Sequence, residues 1–153
     1  MARLAMLIDL TRCIGCDACT MACKQENGTP VDTFFARVLN VESGEYPNAK
    51  RTYIPVLCNH CDNPACLKAC PTRAFSRRAD GIVVLDGGKC AGCRYCEWSC
   101  PYGAPRYDAR RGIMTKCDLC ADLVDAGGRP SCVAACPMRA LDFGPLEELR
   151  AKY

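Results

Sequence analysis

Near its N-terminus the chain reads Cys13-Ile14-Gly15-Cys16-Asp17-Ala18-Cys19-Thr20-Met21-Ala22-Cys23. Three of these cysteines are spaced three residues apart, and the fourth follows after a three-residue gap. Closely spaced thiolates can hold three corners of one iron–sulfur cubane, and this spacing is typical of a [4Fe–4S] binding loop. In proteins that carry two such clusters, the fourth cysteine of the run ligates the other cluster. The run therefore predicts a partner run elsewhere in the chain.

Three further groups of four cysteines follow the first. The third group repeats the spacing of the first, and the second and fourth are looser versions of it. The four groups use all 16 cysteines of the 153-residue chain, which predicts four [4Fe–4S] clusters as cofactors. The groups are Cys13, Cys16, Cys19 and Cys23; Cys58, Cys61, Cys66 and Cys70; Cys90, Cys93, Cys96 and Cys100; and Cys117, Cys120, Cys132 and Cys136.

Disulfide bonds and zinc are the other chemistries that cysteine-rich sequences use. Three cysteines in a Cys-x-x-Cys-x-x-Cys run cannot all pair with near neighbours without strain. Zinc sites commonly use two Cys-x-x-Cys pairs, and Cys58/Cys61 with Cys117/Cys120 have that form. Zinc would leave the other cysteines of each group without a role. Soft thiolates in sets of four favour iron–sulfur clusters.

The simplest pairing of the groups is nested, with the first and fourth enclosing the second and third. It predicts an α+β fold of two interleaved ferredoxin-like units with short strands, short helices and long cofactor-binding loops. The outer unit comprises residues 1–57 plus 102–153, and the inner unit comprises residues 58–101. Exchange of the fourth cysteines defines four predicted sites. Site 1 is Cys13, Cys16, Cys19 and Cys136; site 2 is Cys117, Cys120, Cys132 and Cys23; site 3 is Cys58, Cys61, Cys66 and Cys100; and site 4 is Cys90, Cys93, Cys96 and Cys70.

Hydrophobic patterning predicts short elements between the cysteine loops. Residues 102–107 are expected to form a turn-rich bridge. Met138-Arg139-Ala140-Leu141, after Pro137, is expected to repeat the turn that Thr72-Arg73-Ala74-Phe75 makes after Pro71. Strands are predicted at residues 3–10, 34–41, 51–57, 82–85 and 112–115, and helices at residues 17–25 and 145–153.

Charge and hydropathy exclude several classes of function. The formal net charge is +3 at pH 7, but sixteen thiolates and four oxidised cores bring the cluster-loaded chain to about −5. Basic residues near the motifs, such as Lys24 and Lys116, are expected to lie at the surface or to compensate cluster charge, and no nucleic-acid patch is predicted. The apolar runs are too short to span a membrane, and residues 1–5 carry neither an h-region nor a twin-arginine motif.

Residues that would support catalysis by the chain itself are missing from the sequence. No Gly-x-Gly-x-x-Gly follows a strand, and no cysteine is left over to act as a nucleophile. The single histidine, His60, lies inside a cluster loop. It is expected to pack or hydrogen-bond beside the ligands rather than to ligate iron, and Trp98 is expected to keep water from a cluster. The sequence therefore predicts electron transfer and no catalytic residue.

Six stretches resemble the four-cluster electron-transfer subunits of molybdopterin oxidoreductases. The resemblance spans nearly the whole chain, and the last two stretches point to the dimethyl-sulfoxide reductase branch. The stretches are Asp9-Leu10-Thr11-Arg12-Cys13-Ile14-Gly15-Cys16, Cys58-Asn59-His60-Cys61, Gly92-Cys93-Arg94-Tyr95-Cys96, Cys100-Pro101-Tyr102-Gly103-Ala104-Pro105, Met114-Thr115-Lys116-Cys117-Asp118 and Arg139-Ala140-Leu141-Asp142-Phe143-Gly144-Pro145.

The resemblance implies partners and a location for the chain. Such subunits sit between a large molybdenum or tungsten bis-pyranopterin catalytic subunit and an integral-membrane, quinol-oxidising anchor subunit. They serve anaerobic respiration and are commonly exported on the partner's twin-arginine signal. We therefore expect a peripheral position on the outer face of the cytoplasmic membrane, with a cytoplasmic complex as the alternative.

Two other functions are compatible with parts of the sequence. A free soluble polyferredoxin would carry the same clusters but would be stable without a partner. A zinc-binding interaction module would contain zinc in place of iron and sulfide. Residues 26–50 and the helix after Pro145 are the predicted partner surface.

Overall fold

A computed structural model describes residues 2–153 as short elements separated by cysteine-containing loops. The strands are β1 (Leu4–Ile8), β2 (Arg37–Ser43), β3 (Lys50–Val56), β4 (Phe75–Arg77), β5 (Val83–Leu85), β6 (Arg106–Asp108), β7 (Ile113–Thr115) and β8 (Leu141–Pro145). The α-helices are α1 (Ala18–Asn27), α2 (Ala65–Lys68), α3 (Tyr95–Ser99), α4 (Ala121–Asp125), α5 (Ser131–Ala134) and α6 (Leu146–Lys152), and a 3₁₀ turn covers Gly87–Lys89.

Strands β1 and β8, which are far apart in the sequence, are hydrogen-bonded to each other. They run antiparallel, with Leu4 opposite Pro145 and Ile8 opposite Leu141. Helix α6 continues from β8, and its amphipathic pattern buries Leu149. Helices α1 and α5 also contact each other. The first and fourth cysteine groups, which flank these elements, are thereby brought to the same part of the molecule.

Three hairpins connect the cysteine groups along the chain. β2 and β3 form the longest, with Leu39 opposite Ile54. β4 pairs with β5 between the second and third groups, and β6 pairs with β7 between the third and fourth. Each hairpin delivers the chain to the start of a cysteine loop, because β3, β5 and β7 all end within a few residues of a first cysteine.

The apolar core consists of two separate clusters, and both contain cysteines. We call the first the outer apolar cluster; it contains Cys19, Cys23, Phe35, Ala36, Leu57, Cys117, Cys132, Val133 and Leu141. We call the second the inner apolar cluster; it contains Phe75, Val83, Cys96 and Met114, with Cys66, Cys70, Cys90 and Tyr107 packed against it. Much of the interior is therefore built around thiol groups rather than around aliphatic side chains.

The predicted α+β class is confirmed, and most predicted strands and helices are present within a few residues of their expected bounds. One local prediction was partly wrong, because the last two residues of the 102–107 bridge lie in strand β6. The repeated turn is confirmed: Arg73 and Arg139 have φ 52° and 50°, and Phe75 and Leu141 each begin a strand. Tyr107 and Met114 pack on the inner apolar cluster although they lie beyond residue 101. The division into outer and inner units stays a prediction.

Candidate iron–sulfur sites

All four cysteine groups begin with the same backbone turn. The residue immediately before the second cysteine has a left-handed conformation in every group: Gly15 (φ 71°), His60 (φ 42°), Gly92 (φ 66°) and Leu119 (φ 63°). Glycine adopts this conformation without steric cost, whereas for other residues it costs about 1–3 kcal/mol. In the first and second groups both cysteines of this pair line the same cavity.

A second turn recurs after the last cysteine of three groups. Each cysteine is followed by proline, and the backbone N–H four residues after the cysteine donates to its Sγ. Such N–H···S bonds stabilise a thiolate, and they raise the reduction potential of an iron–sulfur cluster that it ligates. The pairs are Ala74 to Cys70 (3.3 Å), Ala104 to Cys100 (3.4 Å) and Ala140 to Cys136 (3.3 Å).

The first group uses a side chain in place of this turn. Lys24 stands where the other groups have proline, and helix α1 continues to Asn27. The Asn27 side-chain amide donates to the carbonyl of Cys23 over 2.9 Å and lies 3.6 Å from its Sγ. Lys24 Nζ donates to the carbonyls of Pro30 and Thr33 over 2.6 and 2.9 Å. Lys24 therefore ties down the following loop, and Asn27 supplies the donor to sulfur.

The cysteines of sites 1 and 3 each surround a cavity. The cavity at site 3 has a volume of about 190 Å³ and is also lined by His60 and Lys116. The first cavity is lined by Cys13, Cys16, Cys19 and Cys136, and the second by Cys58, Cys61, Cys66 and Cys100.

The cysteines within site 2 lie near one another, and so do the cysteines within site 4. Cys120 and Cys132 are close enough to Cys23 for their charges to act on one another. Cys96 is similarly affected by Cys66 and by the three other cysteines of site 4, which are Cys70, Cys90 and Cys93. The fold thus brings together cysteines from different groups, as the exchange of fourth ligands requires.

Burial raises the pKa of the deepest thiols, and neighbouring cysteines raise it further. The pKa of Cys23 is raised to about 11, and the pKa values of Cys96 and Cys132 are raised to about 12. A thiol must lose its proton to ligate a metal. Iron binding at these sites therefore releases protons and stabilises the fold at the same time.

The spacing of the thiols differs from that of a single-ion site. Within residues 2–153, no three His, Cys, Asp or Glu side chains converge closely enough to hold one metal ion. A structural zinc ion requires such a convergence, because Zn–S bonds are about 2.3 Å long. Cysteines arranged around a cavity instead fit a larger group with a ligand at each corner.

Lys116 is a buried cation that borders the cavity of site 3. Its side chain is 7% exposed, and Nζ donates to the carbonyls of Val83 and Cys117. Among residues 2–153 no carboxylate lies within ion-pair distance of Lys116. A buried charge is costly without a counter-charge. A cluster with four thiolate ligands carries net negative charge and fits this position.

His60 is buried between the second cysteine group and the fourth. Its Nδ1 accepts a hydrogen bond from the Val83 N–H over 3.0 Å, and its Nε2 lies 3.8 Å from the Sγ of Cys117. Burial lowers the pKa of His60 to about 3, with the Lys116 ammonium as the second cause. The imidazole is therefore neutral, with its proton on Nε2 facing the sulfur.

Comparison with known proteins identifies the family. Two family models, both described as a 4Fe-4S dicluster domain, match residues 49–146 and 12–74. An anaerobic dimethyl sulfoxide reductase chain from Escherichia coli (strain K12) is 46% identical over 154 residues, covering 95% of this chain and 75% of the relative. The chain belongs to the 4Fe-4S dicluster family of dimethyl sulfoxide reductase iron–sulfur subunits. The predicted resemblance is therefore confirmed.

Other relatives of this dicluster protein come from different reductases and dehydrogenases. A sulfite dehydrogenase subunit from Allochromatium vinosum is 42% identical over 170 residues, covering 97% of this chain and 71% of the relative. A tetrathionate reductase subunit from Salmonella typhimurium is 42% identical over 148 residues, covering 95% and 59%. The relatives are thus subunits of several different oxidoreductases. The two dicluster family models identify [4Fe–4S] clusters as the cofactors of this chain.

The surface of the dicluster protein exposes aromatic side chains beside the third cysteine group. Trp98 and Tyr95 are 73% and 52% exposed, and their ring centroids are 5.8 Å apart. Trp98 is therefore mostly exposed itself, and its expected role in keeping water from a cluster stays a prediction. Cys93, in the same loop, is exposed as well. No helix within residues 2–153 has the length and hydropathy needed to cross a membrane.

Two functional features of the dicluster protein are missing from the predictions made from its sequence. Lys116 was one of many basic residues near cysteines, and nothing local distinguished it from surface lysines. Asn27 lies two residues beyond the predicted helix of residues 17–25. Because α1 extends to Asn27, the residue lies one helical turn after Cys23, a relationship that a longer predicted helix would have indicated. His60 was expected beside the ligands, and the contact with Cys117 specifies which ligand.

Proposed function

We propose that this chain is an electron-transfer subunit that relays electrons through four [4Fe–4S] clusters. Its partners in this proposal are a quinol-oxidising membrane anchor and a molybdenum or tungsten bis-pyranopterin catalytic subunit of the dimethyl-sulfoxide reductase type. The observation that carries the proposal is the assembly of cysteines from different groups around common sites. Each cluster supplies one-electron chemistry when bound, and the chain itself contributes no catalytic residue.

The proposed ligands are the sixteen cysteines in the four exchanged sets defined as sites 1–4. Site 3 has the strongest support, because its four cysteines line one cavity beside the buried Lys116. Site 1 is supported by a second such cavity. The nested division into an outer and an inner unit is supported by the β1–β8 pairing. In that division the β6–β7 hairpin packs on the inner unit, because Met114 and Tyr107 contact the inner apolar cluster.

The chain's own residues hold and orient the ligands and limit access of water. Backbone N–H groups donate to Cys70, Cys100 and Cys136, which favours the thiolate over the thiol. The apolar clusters around the buried cysteines lower the local dielectric and keep solvent from the sulfurs. Both influences act on reduction potential, so these residues set the energy at which each site accepts an electron.

Exposed apolar side chains support a subunit rather than a free carrier. Val31 and Tyr46, in the 26–50 segment, are 83% and 96% exposed, and Trp98 is 73% exposed. Val31 and Tyr46 thus lie exposed on the predicted partner surface, and contiguous exposed apolar patches are typical of protein interfaces. The proposed complex is peripheral to the outer face of the cytoplasmic membrane and reaches it on the export signal of the partner.

An anaerobic native pull-down of this chain from its own host tests the proposal. The eluate is assayed for iron, sulfide, zinc, molybdenum and tungsten, and its subunits are identified. We expect about sixteen irons per chain, together with a large subunit carrying stoichiometric molybdenum or tungsten.

The alternatives give different eluates. A brown, soluble chain that elutes alone with iron and neither heavy metal would be a free polyferredoxin. Zinc without visible absorption would contradict the cluster assignment altogether.

A further inference from the structure

Sites 2 and 3 approach each other at Cys58 and Cys117. Cys58, a proposed ligand of site 3, packs against the outer apolar cluster that contains Cys117, a proposed ligand of site 2. The charge of a Cys58 thiolate also acts on Cys117. An electron that moves between the two sites must cross this junction, so residues located there have most influence on that transfer.

His60 occupies the junction in a fixed orientation. Its ring belongs to the loop between Cys58 and Cys61, yet it faces Cys117 of the other site. Because the Val83 N–H donates to Nδ1 over 3.0 Å, that nitrogen carries no proton and the ring proton resides on Nε2. The Nε2–H therefore faces the Cys117 Sγ over 3.8 Å, a long N–H···S hydrogen bond.

Lys116 is bound to the same strand residue as His60. Val83 donates through its N–H to His60 and accepts through its carbonyl from Lys116 Nζ. Lys116 Nζ also donates to the carbonyl of Cys117. One residue of β5 thus fixes both a neutral donor and a buried cation beside the same ligand.

The backbone of this loop does not explain the choice of histidine. The equivalent positions are Gly15 and Gly92 in the first and third groups, which suit the left-handed conformation, and Leu119 in the fourth group, whose φ is 63°. Histidine at φ 42° is strained compared with glycine. Its ring atoms contact Val83 and Cys117, and these contacts offset the strain.

We propose that His60 is a positioning residue that, together with Lys116, raises the reduction potential of the cluster ligated by Cys117. Hydrogen bonds and positive charge beside a ligand sulfur stabilise the more negative, reduced state of a cluster. The proposal rests on the proposed function, because it takes Cys117 as a ligand of site 2. In this proposal His60 influences electron transfer between sites 2 and 3. This role goes beyond the binding of the clusters.

The test uses two variants that separate the contacts of the imidazole. His60→Asn keeps an acceptor near the Nδ1 position for Val83 and tolerates the left-handed backbone, but its side chain ends short of Cys117. His60→Gln reaches the Nε2 position and keeps the donor to sulfur. Both variants are made in the full chain, purified anaerobically with its clusters, and titrated with dithionite while each reduced cluster is followed by electron paramagnetic resonance.

We expect His60→Asn to lower the midpoint potential of one cluster and to leave the other three unchanged. The oxidised-to-reduced ratio of that cluster should rise about tenfold at the wild-type midpoint, which is about 59 mV for one electron. His60→Gln should restore a potential close to that of the wild type. Iron per chain should be the same in all three proteins.

Other outcomes contradict the inference. Unchanged potentials in His60→Asn at full iron content would show that the histidine serves only the loop and the Val83 contact. A lowered potential in His60→Gln would show that the donor to sulfur is not responsible, and loss of iron from both variants would show that His60 retains the cluster rather than tunes it. A wild-type chain with fewer than four clusters would contradict the proposed function itself, which distinguishes the two failures.

Discussion

Asn27 Nδ2 and Cys23 Sγ lie 3.6 Å apart on the same face of α1, one helical turn from each other. In the other three groups the last cysteine accepts a backbone N–H from the turn after a proline, and Cys70 also lies 3.5 Å from the Thr72 hydroxyl. Because the donor to Cys23 belongs to a side chain, it is accessible to mutation, which backbone N–H groups are not.

Asn27→Leu is therefore expected to lower the potential of the cluster at site 2. The substitution keeps the side-chain size and removes the donor, and a change of about threefold in the oxidised-to-reduced ratio is reasonable for one hydrogen bond to sulfur. The measurement is the same redox titration. Gln25→Leu, at an exposed position of α1, is the control and should move no potential.

The proposed exchange of fourth ligands provides a second test of the prediction for Asn27. Asn27 and His60 contact Cys23 and Cys117, which are proposed ligands of one cluster. Their variants should therefore shift the same paramagnetic signal. Shifts in two different signals would contradict the proposed composition of site 2.

Lys116→Met is expected to lower the potentials of two clusters. The ammonium of Lys116 favours the thiolates of Cys66 and Cys117, which belong to sites 3 and 2. Methionine keeps the length of the side chain and removes its charge. Redox titration is the measurement. Lys50→Met is the matched control, because Lys50 is exposed and lies eight residues before the nearest cysteine in the sequence, Cys58. A shift in the midpoint potential of only one cluster would show that the charge of Lys116 acts at one site, contrary to this prediction.

Gly92→Ala is expected to prevent cluster binding at site 4. Gly92 has φ 66°, and a Cβ there would overlap the carbonyl oxygen of Gly112. Gly112→Ala is the control, because Gly112 has φ 68° but open space around it. Gly112→Ala should lower the free energy of unfolding by about 1–2 kcal/mol, because alanine there must adopt the left-handed backbone conformation. Its iron content per chain should equal that of the wild type. Iron per chain and the free energy of unfolding separate the two variants, and equal iron contents would disprove the steric argument.

Asp142 is expected to hold helix α6 against β8. Hydrogen bonds from Lys152 over 2.6 Å and from Tyr153 over 3.3 Å lower the pKa of Asp142. Because the pKa is lowered in the folded chain, the stabilisation is complete above the ordinary value of 3.8 and is lost as the pH falls through the lower, folded value. Lys152 is 61% exposed, so solvent screens the pair and the gain in stability is small.

Amide hydrogen exchange in α6 measures this effect. After correction for intrinsic exchange rates, protection of the helix should be constant between about pH 5 and 7 in the wild type and about fivefold lower in Asp142→Asn. Glu147→Gln removes the exposed pair with Arg150 and should change protection little. A strong rise or fall of wild-type protection across this range would contradict the assigned pKa direction.

Patterns that are local in the sequence predicted much of the fold. The strand expected at residues 3–10 is β1, the helix expected at 17–25 is α1, and the strand expected at 82–85 is β5. The cysteine groups were recognised in the same way, because their spacing reflects the loop that surrounds one cluster. Such features depend on neighbouring residues and need no knowledge of distant contacts.

Features created by distant contacts could not be predicted. Leu141-Asp142-Phe143-Gly144-Pro145 contains glycine and proline, which disfavour a strand, and it becomes β8 by pairing with the distant β1. Lys116 is polar by sequence and is buried only because β5 approaches from the inner hairpin. The ligand sets themselves stay a prediction, supported by the cavities and proximities described above.

The pairing of β1 with β8 has a consequence for biosynthesis. Leu4 leaves the ribosome long before its partner Pro145 is translated. Strand β1 therefore has no partner strand while all the intervening cysteine loops are synthesised. Iron and sulfide delivered by the cell's assembly machinery can complete the proposed site 3 once Cys100 has emerged, whereas the proposed site 1 stays open until Cys136 is made. Cofactor loading would then proceed from the middle of the protein outward.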